Sequence, residues 1–440
     1  MNYFNLLYNG QYDQLVKETF PLLDKESNAT CTFLRLFLQK TPVVLLDFDT
    51  SIEPLIQEAK AGNRYAQYAY ARWQSLVCGG ENSLNISYRY MKAAAEQNLP
   101  DAIAAFAMTY EFGDIGIVDW EKYDELIEQS VALGSELGKT YMLRDLCFGK
   151  NFTNAQPDKA AVLANEFINQ DEHKGIEPNG LWFYYRATAN EAKLGRTQVI
   201  DDYRRALDLG VLSAYTDLII AYGYGDSLDN LTETKEYSNC LLQGIARLAP
   251  NALILDADRE MRHYDTLKKR LQYDGFKKHP IQYKILQASH ELIFSRLSHA
   301  AELCDNAAWE QLGDMYYDGT YGFEQNYDKA FVAYSNGVIH NSASCAEKLW
   351  QMMHDHIIDR SLDYQDSIAI EGARCGSIRL LAETVIIHQQ GRLSEYADEI
   401  EKYYEPIFDA PDFNLGEAWD EDYLDENEKD ENDGKYDAWA

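Results

Sequence analysis

Apolar and small residues recur at helical spacing in the stretch 306–339, which reads NAAWEQLGDMYYDGTYGFEQNYDKAFVAYSNGVI. The first series has members at i, i+4, i+7 and i+8, which is one face of an α-helix: Ala308, Leu312, Met315 and Tyr316. The glycines of the following DGTYG supply the backbone freedom for a tight turn. A second series predicts the next helix: Ala330, Phe331, Tyr334 and Val338. The pattern therefore predicts two helices joined by a glycine turn.

The same pattern occurs 206 residues earlier in the chain. At this single offset, six positions match in chemical type: Ala102 with Ala308, Phe106 with Leu312, Ala107 with Gly313, Tyr110 with Tyr316, Gly113 with Gly319, and Gly116 with Gly322. Small residues let helices approach closely, tyrosines fill the space between layers, and glycines turn the chain. Another unit starts 36 residues before Ala102, at Ala66. Units of this length indicate an array of stacked helix pairs.

The chain divides into five predicted segments, according to how closely each one follows the repeat pattern. They are an N-terminal helical cap at 1–60, a repeat array at 61–250, an irregular helical segment at 251–304, C-terminal repeats with closing helices at 305–407, and an acidic, aromatic-containing tail at 408–440. The expected fold class is all-α, an α-solenoid of antiparallel helix pairs.

The motif A-x-x-x-L-G-x-x-Y-x-x-G, followed by a second glycine and D-x-x-K-A, resembles the Sel-1-like repeat, a relative of the tetratricopeptide repeat. It is carried here by Ala308, Leu312, Gly313, Tyr316, Gly319, Gly322 and the run 327–330. The resemblance covers roughly 61–250 and 300–380, and it weakens at 150–205 and 251–304. It implies a right-handed superhelix that serves as a protein-binding scaffold, with no catalytic residues to carry over.

Charge narrows the class of partner. The formal net charge is −32 and the sequence pI about 4.6, so nucleic acid and anionic membrane surfaces are disfavoured, and a protein with a basic surface is favoured. The N-terminus lacks the features of a signal peptide, and no apolar run is long enough for a membrane helix. Seven scattered cysteines without CxxC spacing indicate buried free thiols. We expect a cytoplasmic protein without metal or cofactor.

Aromatic residues beyond the repeat core are the candidate partner-binding residues, because Tyr and Trp are favoured anchors at protein interfaces. On the inner surface of the solenoid these are Tyr222, Tyr224 and Tyr317. In the tail they are Trp419, Tyr423 and Trp439. Residues 409–440 hold 13 acidic residues and 2 lysines, which is typical of a solvated segment, and the interleaved aromatics leave a docking role open.

Two other functions are alternatives to that of a general protein-binding scaffold. One is an immunity protein that neutralises a cognate toxic effector, since strong acidity suits a basic target and the repeat resembles that of some bacterial immunity proteins. The remote alternative is a phosphatase-like hydrolase using Asp47 and Asp49 in VVLLDFDTS. That chemistry needs a parallel α/β sheet, and no alternation of strand and helix follows. The pair His354 and His356 is a poor chelate because i and i+2 point to different sides of a helix.

Overall fold

The computed structural model describes residues 53–75, 81–113, 118–150, 152–175, 177–195, 198–222, 234–274, 280–303 and 305–410. Most of the predicted N-terminal cap and almost all of the predicted tail lie outside these residues. The chain forms two compact units, Met1–Asn341 and Ser342–Ala440.

The described part of the first unit consists of helices joined by short connections, and it contains no β-strand. The helices are α1 (Glu53–Lys60), α2 (Arg64–Trp73), α3 (Glu81–Glu96), α4 (Pro100–Glu111), α5 (Trp120–Ala132), α6 (Glu136–Phe148), α7 (Pro157–His173), α8 (Gly180–Leu194), α9 (Ile200–Asp208), α10 (Ala214–Tyr222), α11 (Lys235–Ala246), α12 (Pro250–Asp274), α13 (Pro280–Glu302), α14 (Asn306–Asp318) and α15 (Tyr327–Ile339).

Each helix packs against the next one in the sequence, as expected for antiparallel pairs with short turns. Contacts also join alternate helices, α4 with α6, α6 with α8 and α10 with α12. This second set stacks the first helix of one pair on the first helix of the following pair, which is the packing of a solenoid. The all-α fold built of helix pairs is confirmed.

Polar caps define where many of these helices begin. A side-chain oxygen immediately before the helix accepts a hydrogen bond from a backbone N–H of the first turn, which would otherwise lack a partner. This occurs at Asp119, Ser135, Asn179, Thr234, Asp305 and Asn326.

The stretch 306–339 folds as the pattern predicts. Helix α14 ends at Gly319, whose φ of 67° is left-handed and suits a residue without a side chain. The backbone N–H of Asn326 then donates to the carbonyl of Tyr316 at 2.7 Å, which ties the second helix to the end of the first. In the matching unit, the N–H of Asp119 donates to the carbonyl of Tyr110 at 3.0 Å. The two units share their turn geometry as well as their motif.

Tyrosines on the second helices fill the core between the layers. Tyr123, Tyr203, Tyr237 and Tyr334 are each at most 2% exposed. The hydroxyl of Tyr203 donates to Glu191 at 2.6 Å, and that of Tyr334 to Asp314 at 2.6 Å. These buried phenols join the two helices of a pair through a polar bond as well as through packing, since a buried hydroxyl needs a partner.

Gly313 marks the closest approach of α14 and α15, because a Cβ there would overlap the Tyr334 ring. We predict that Gly313→Ala lowers the free energy of unfolding by about 1–3 kcal/mol through overpacking. Thermal unfolding should show the loss. The Gly313→Ala change should cost much less in a Tyr334→Leu background, where the ring is gone. An equal cost in both backgrounds would contradict this explanation.

The segment predicted as irregular is a single long helical hairpin. Helices α12 and α13 have 25 and 23 residues, against 13 for each helix of the 306–339 pair. The hairpin has no short glycine turn of the repeat type within its helices, which is why the repeat pattern fails here. Its inner seam includes Met261, Tyr264, Leu271 and Leu286, all buried.

The second unit is described over 342–410. Its helices are α16 (Ala343–His354), α17 (Leu362–Arg374), α18 (Ile378–Gln389), α19 (Ala397–Glu399) and α20 (Glu405–Phe408), with a 3-10 turn at Ser394–Tyr396 and a π-helical turn at Ile400–Tyr404. The last turns pack on α18 through Ile400, Tyr403 and Tyr404, which are buried. The sequence analysis predicts closing helices in this part of the chain, and their assignment as the end of the repeat array stays a prediction.

Candidate protein-binding groove

A groove of about 420 Å³ lies between α13 and α15, with α14 as its floor. Its lining is mostly apolar and consists of Phe294 and Ser298 from α13, Trp309, Leu312 and Tyr316 from α14, and Asp328, Lys329, Val332 and Ala333 from α15. Grooves of this size and polarity are common binding sites in proteins. The best-formed repeat of the chain therefore carries a candidate site.

Aromatic packing beneath the groove holds its walls in place. Phe323, from the turn between α14 and α15, is buried and meets Tyr316 edge to face, with ring centroids 5.1 Å apart. The Phe294 ring lies 5.9 Å from the same Phe323 ring. The Lys329 ammonium sits over the Tyr316 ring at 5.0 Å, a cation–π contact. The wall residues are thus ordered by contacts with the core.

The upper wall remains open to solvent. Val332 is 58% exposed and Phe294 is 43% exposed, although both are large apolar side chains. Trp309 is half-buried, and its indole N–H is buried without a hydrogen-bond acceptor in the part of the chain that the structure describes. An orphaned donor and exposed apolar walls both cost free energy in the unbound protein. A bound segment would cover the walls, and a small rotation of the indole would bring the donor to an acceptor on that segment.

The matching unit at 102–132 lacks these features. At the offset of 206 residues, the position of Trp309 is taken by Ile103, which is 1% exposed. When the second helices are aligned by their caps, Asn326 and Asp119, Val332 corresponds to Glu125. The Glu125 carboxylate is paired with Lys122 at 2.6 Å. The 306–339 unit thus has two apolar groove residues where the matching unit has a buried isoleucine and a paired carboxylate.

The rim of the groove offers a carboxylate. Asp328 lies in the first turn of α15, where the helix dipole favours a negative charge. It is exposed, and its carboxylate forms no ion pair with the described residues. A cationic side chain of a partner could therefore bind at the rim while its apolar neighbour enters the groove.

Two of the predicted partner-binding tyrosines are described, and both have partners within the chain. The Tyr222 hydroxyl accepts a hydrogen bond from Arg204 Nε at 2.8 Å, and this bond raises the pKa of Arg204. The Tyr317 ring meets Tyr327 at 5.3 Å. Neither lines the groove. Tyr224, Trp419, Tyr423 and Trp439 lie outside the described residues.

The predicted repeat residues occupy packing positions. Ala102, Ala107, Ala308 and Ala330 are completely buried, and Phe106 and Leu312 nearly so. Tyr110 and Tyr316 are partly buried against the core. Gly113, Gly319 and Gly322 have positive φ, and Gly313 lies against Tyr334. Gly116 lies outside the described residues.

Sequence reasoning missed the groove residues Phe294, Trp309 and Val332. A signal for one of them was present, because Trp309 is a position at which the 306–339 unit departs from its match at the fixed offset. Val332 matches the apolar Leu126 at that offset, and its correspondence with Glu125 is seen only when the helix caps are known. Phe294 comes from the preceding helix, and its proximity depends on tertiary packing.

A cluster of charged residues at the junction of α4, α5 and α6 has the composition of a catalytic site but is closed. Arg144 donates to both carboxylate oxygens of Glu111, at 2.7 and 2.9 Å, and to Asp145 at 2.8 Å. The Tyr123 hydroxyl donates to the other Asp145 oxygen at 2.7 Å. Burial raises the pKa of Glu111, and Arg144 opposes that rise. Since both carboxylates already accept hydrogen bonds within the cluster, we infer that the cluster stabilises the fold and is not a catalytic site.

Among the described residues, no site is assembled for the other candidate chemistries. Asp47 and Asp49 lie outside the described residues. His354 stacks on Trp350 with centroids 4.7 Å apart and an angle of 16° between the rings. Among the described residues, no group of three or more His, Cys, Asp or Glu side chains is arranged to hold a metal ion. The described helices include none that is both long and apolar enough to span a membrane.

Four cysteines are described, and none of them is in a disulfide: Cys147, Cys240, Cys345 and Cys375. Burial raises the pKa of the Cys147 and Cys240 thiols to about 12. Since the thiolate is the reactive form, these two side chains are unreactive at neutral pH. Cys31, Cys78 and Cys304 lie outside the described residues.

Of the comparisons with known proteins, only the one with solved structures found matches. No family model matches the chain, and no curated protein matches its sequence. A Sel1 repeat protein from Oxalobacter formigenes is 13% identical, covers 76% of this chain and 90% of its own, and superposes with a TM-score of 0.33. A protective antigen of uropathogenic Escherichia coli strains, displaying an SLR fold, is 16% identical, covers 87% and 75%, and also has a TM-score of 0.33.

The structure of this chain shows the helix pairs, their glycine turns and the stacking of alternate helices directly, without reference to any similar protein. They agree with the motif of the 306–339 unit, in which Ala308, Gly313 and Ala330 are buried. The chain is an all-α array of helix pairs whose repeat motif resembles that of the Sel1-like family.

Proposed function

We propose that this chain is a non-catalytic protein-interaction module and that the groove over α14 is its binding site for a segment of another protein. The segment inserts a large apolar side chain between Phe294, Trp309 and Val332. A neighbouring Lys or Arg of the segment pairs with Asp328. The observation that carries the proposal is the apolar groove whose wall residues stay exposed although the core beneath them is well packed.

The composition of the groove supports a protein as the occupant. Trp, Tyr and Phe supply large contact areas with few rotatable bonds, and such residues dominate the energetics of protein interfaces. The volume of about 420 Å³ suits one or two side chains rather than a large cofactor.

Charge supports a basic partner. The whole chain carries −32, and the rim residue Asp328 adds a local acceptor for a cation. A long-range negative field accelerates association with a basic protein, and salt screens it. We therefore expect the association rate to fall as ionic strength rises, while the dissociation rate changes little.

The test begins with a photo-crosslinking amino acid at position 332, which identifies the protein that occupies the groove in cells. Affinity for that purified partner is then measured with Val332→Glu. We predict a loss of at least about tenfold, since a carboxylate would be buried in an apolar contact without a partner. Isothermal titration calorimetry gives the affinity directly.

A matched control exists on another helix. Val162 is also a valine in the second helix of a pair and is 61% exposed, so Val162→Glu changes the charge equally at a distant site. It should leave the affinity unchanged. Equal losses for both variants, or none for Val332→Glu, would show that the groove is not the binding site.

A further inference from the structure

Helices α12 and α13 extend as a two-helix arm. At about 1.5 Å per residue, α12 is roughly 37 Å long and a 13-residue helix such as α14 roughly 20 Å. The outer part of the hairpin, defined here as residues 262–272 and 280–288, has few buried positions. Tyr264, Leu271, and Leu286 form its inner seam. The turn between α14 and α15 packs on one side of this hairpin, where the Tyr321 ring lies 5.7 Å from the Tyr264 ring.

The charge of the arm is opposite to that of the chain. Its two segments contain five Lys or Arg residues and one carboxylate, Asp265. Arg262, Lys269, Arg270 and Lys284 are exposed, and none of them forms an ion pair with a described residue. Asp265 is hydrogen-bonded by the Tyr321 side chain, and one carboxylate offsets only one of the five positive charges. In a chain of net charge −32, these unpaired cations form a distinct basic surface.

An apolar stripe runs along α13, and the exposed Lys284 lies between its first two members in the sequence. Ile281 is 71% exposed and Ile285 51% exposed, and Ala288 and Leu292 continue the series at i, i+4, i+7 and i+11. The buried positions of the same helix, Leu286, Ser289 and Ile293, lie on another face and serve the inner seam. A stripe at this spacing fits a further helix packed along the arm.

We propose that the arm binds an acidic amphipathic helix of another protein, which packs along the stripe of Ile281 and Ile285 and pairs its carboxylates with Arg270 and Lys284. The helical spacing of the stripe favours a helix over an extended nucleic-acid backbone, because a nucleic acid would leave the exposed isoleucines without an apolar contact. The linear seam also favours a helix over a flat lipid surface. This partner is distinct in charge from the basic partner of the groove.

The probes are a synthetic three-heptad helix with leucine at a and d and glutamate at e and g, the same helix with lysine for glutamate, vesicles containing phosphatidylserine, and a DNA duplex. Binding to the full chain is measured by fluorescence anisotropy for the helices and the duplex, and by co-sedimentation for the vesicles. We expect the glutamate helix to bind and the lysine helix to bind at least about tenfold more weakly.

Two variants separate charge from shape. Arg270→Glu/Lys284→Glu and Ile281→Ser/Ile285→Ser should each weaken binding of the glutamate helix at least about tenfold. All four side chains are exposed, so circular dichroism and thermal unfolding should be unchanged. The control Lys174→Glu/Lys235→Glu alters the net charge equally on exposed sites elsewhere and should retain binding.

Several results would overturn the proposal. They are equal binding of the glutamate and lysine helices, absence of binding to either, unchanged affinity in both arm variants, or binding of vesicles or DNA that only the charge variant abolishes. Val332→Glu should retain arm binding, because Val332 belongs to α15, which contributes no residue to the arm. Failure of the groove proposal and failure of the arm proposal are therefore distinguishable.

Discussion

Replacing Arg374 with leucine is expected to lower the free energy of unfolding of the second unit by about 3–5 kcal/mol. Arg374 forms a bidentate pair with Glu399, with Nε to Oε1 at 3.0 Å and Nη2 to Oε2 at 2.7 Å. Both side chains are more than nine-tenths buried. Without the guanidinium, the Glu399 carboxylate keeps the Tyr404 hydroxyl as a donor at 2.7 Å and loses its counter-charge. An unpaired buried charge is far costlier than the pair is favourable.

The position of the pair makes the effect large. Arg374 ends α17, and Glu399 precedes the π-helical turn that packs on α18. The Arg374 guanidinium also covers the Tyr396 ring at 5.2 Å. The pair therefore attaches the last turns of the unit to its first helices, and hydrogen exchange of amides in 378–404 should rise in the variant.

A double variant tests this explanation. Arg374→Leu/Glu399→Leu removes both charges and should recover most of the loss, because a buried ion pair is often replaceable by apolar residues of similar volume. Arg360→Leu, at an exposed position, should change stability by less than about 0.5 kcal/mol. If the double variant is as unstable as the single one, the loss comes from packing of the arginine stem and not from the carboxylate.

The helix pairs were predictable because their signals are local. The apolar spacing of Ala308, Leu312 and Met315 specifies one face of a helix, and Gly319 permits the left-handed residue that ends it. Both features follow from residues within a few positions of each other. Helix caps such as Asp305 and Asn326 are local in the same sense.

The groove and the arm were not predictable by the same means. Phe294 and Val332 lie 38 residues apart and line one groove because three helices pack in a particular order. Among the described residues of 251–304, no glycine turn of the repeat type interrupts either helix, and the sequence pattern indicated helices without indicating that two would be so long. The partners of Arg374 and Arg144 are likewise chosen by tertiary structure, since 25 and 33 residues separate them from Glu399 and Glu111.

The high tyrosine content did not by itself identify the residues of the candidate site. Their number indicated a surplus over the repeat core, and Tyr222 and Tyr317 were plausible surface anchors. The structure gives both of them intrachain partners. The informative aromatic is instead Trp309, at a repeat position where the matching unit has a buried isoleucine. Departure from the repeat is a better guide to the candidate site than residue type.

Replacing Arg144 with methionine is expected to destabilise the first unit by about 3–5 kcal/mol at neutral pH, with a smaller loss in mild acid. In the native cluster, Arg144 is the common donor to Glu111 and Asp145. Burial raises the pKa of the Glu111 carboxyl, and the charge and hydrogen bonds of Arg144 are the largest effects that lower it. Removing Arg144 therefore raises the pKa of Glu111 further.

The sign of the pH effect follows from linkage. A carboxyl whose pKa is higher in the folded than in the unfolded protein binds its proton more tightly when folded. The resulting stabilisation is complete below the unfolded pKa of about 4.3, and it is lost as pH rises through the folded pKa. The variant, with its higher folded pKa, keeps Glu111 neutral over a wider range, so its deficit against the native protein should be smaller at pH about 5 than at pH about 8.

Urea unfolding followed by circular dichroism at both pH values measures the difference, and hydrogen exchange of amides in α4 and α6 locates it in the solenoid, whose units can unfold separately. In Glu111→Gln/Arg144→Met the titrating carboxyl is absent, so the gap between the two pH values should close. The guanidinium of Arg144 also lies over the Tyr141 ring, with its carbon 5.3 Å from the ring centroid. A deficit equal at both pH values would assign the loss to this packing, whereas a deficit that grows with pH assigns it to the buried carboxylate.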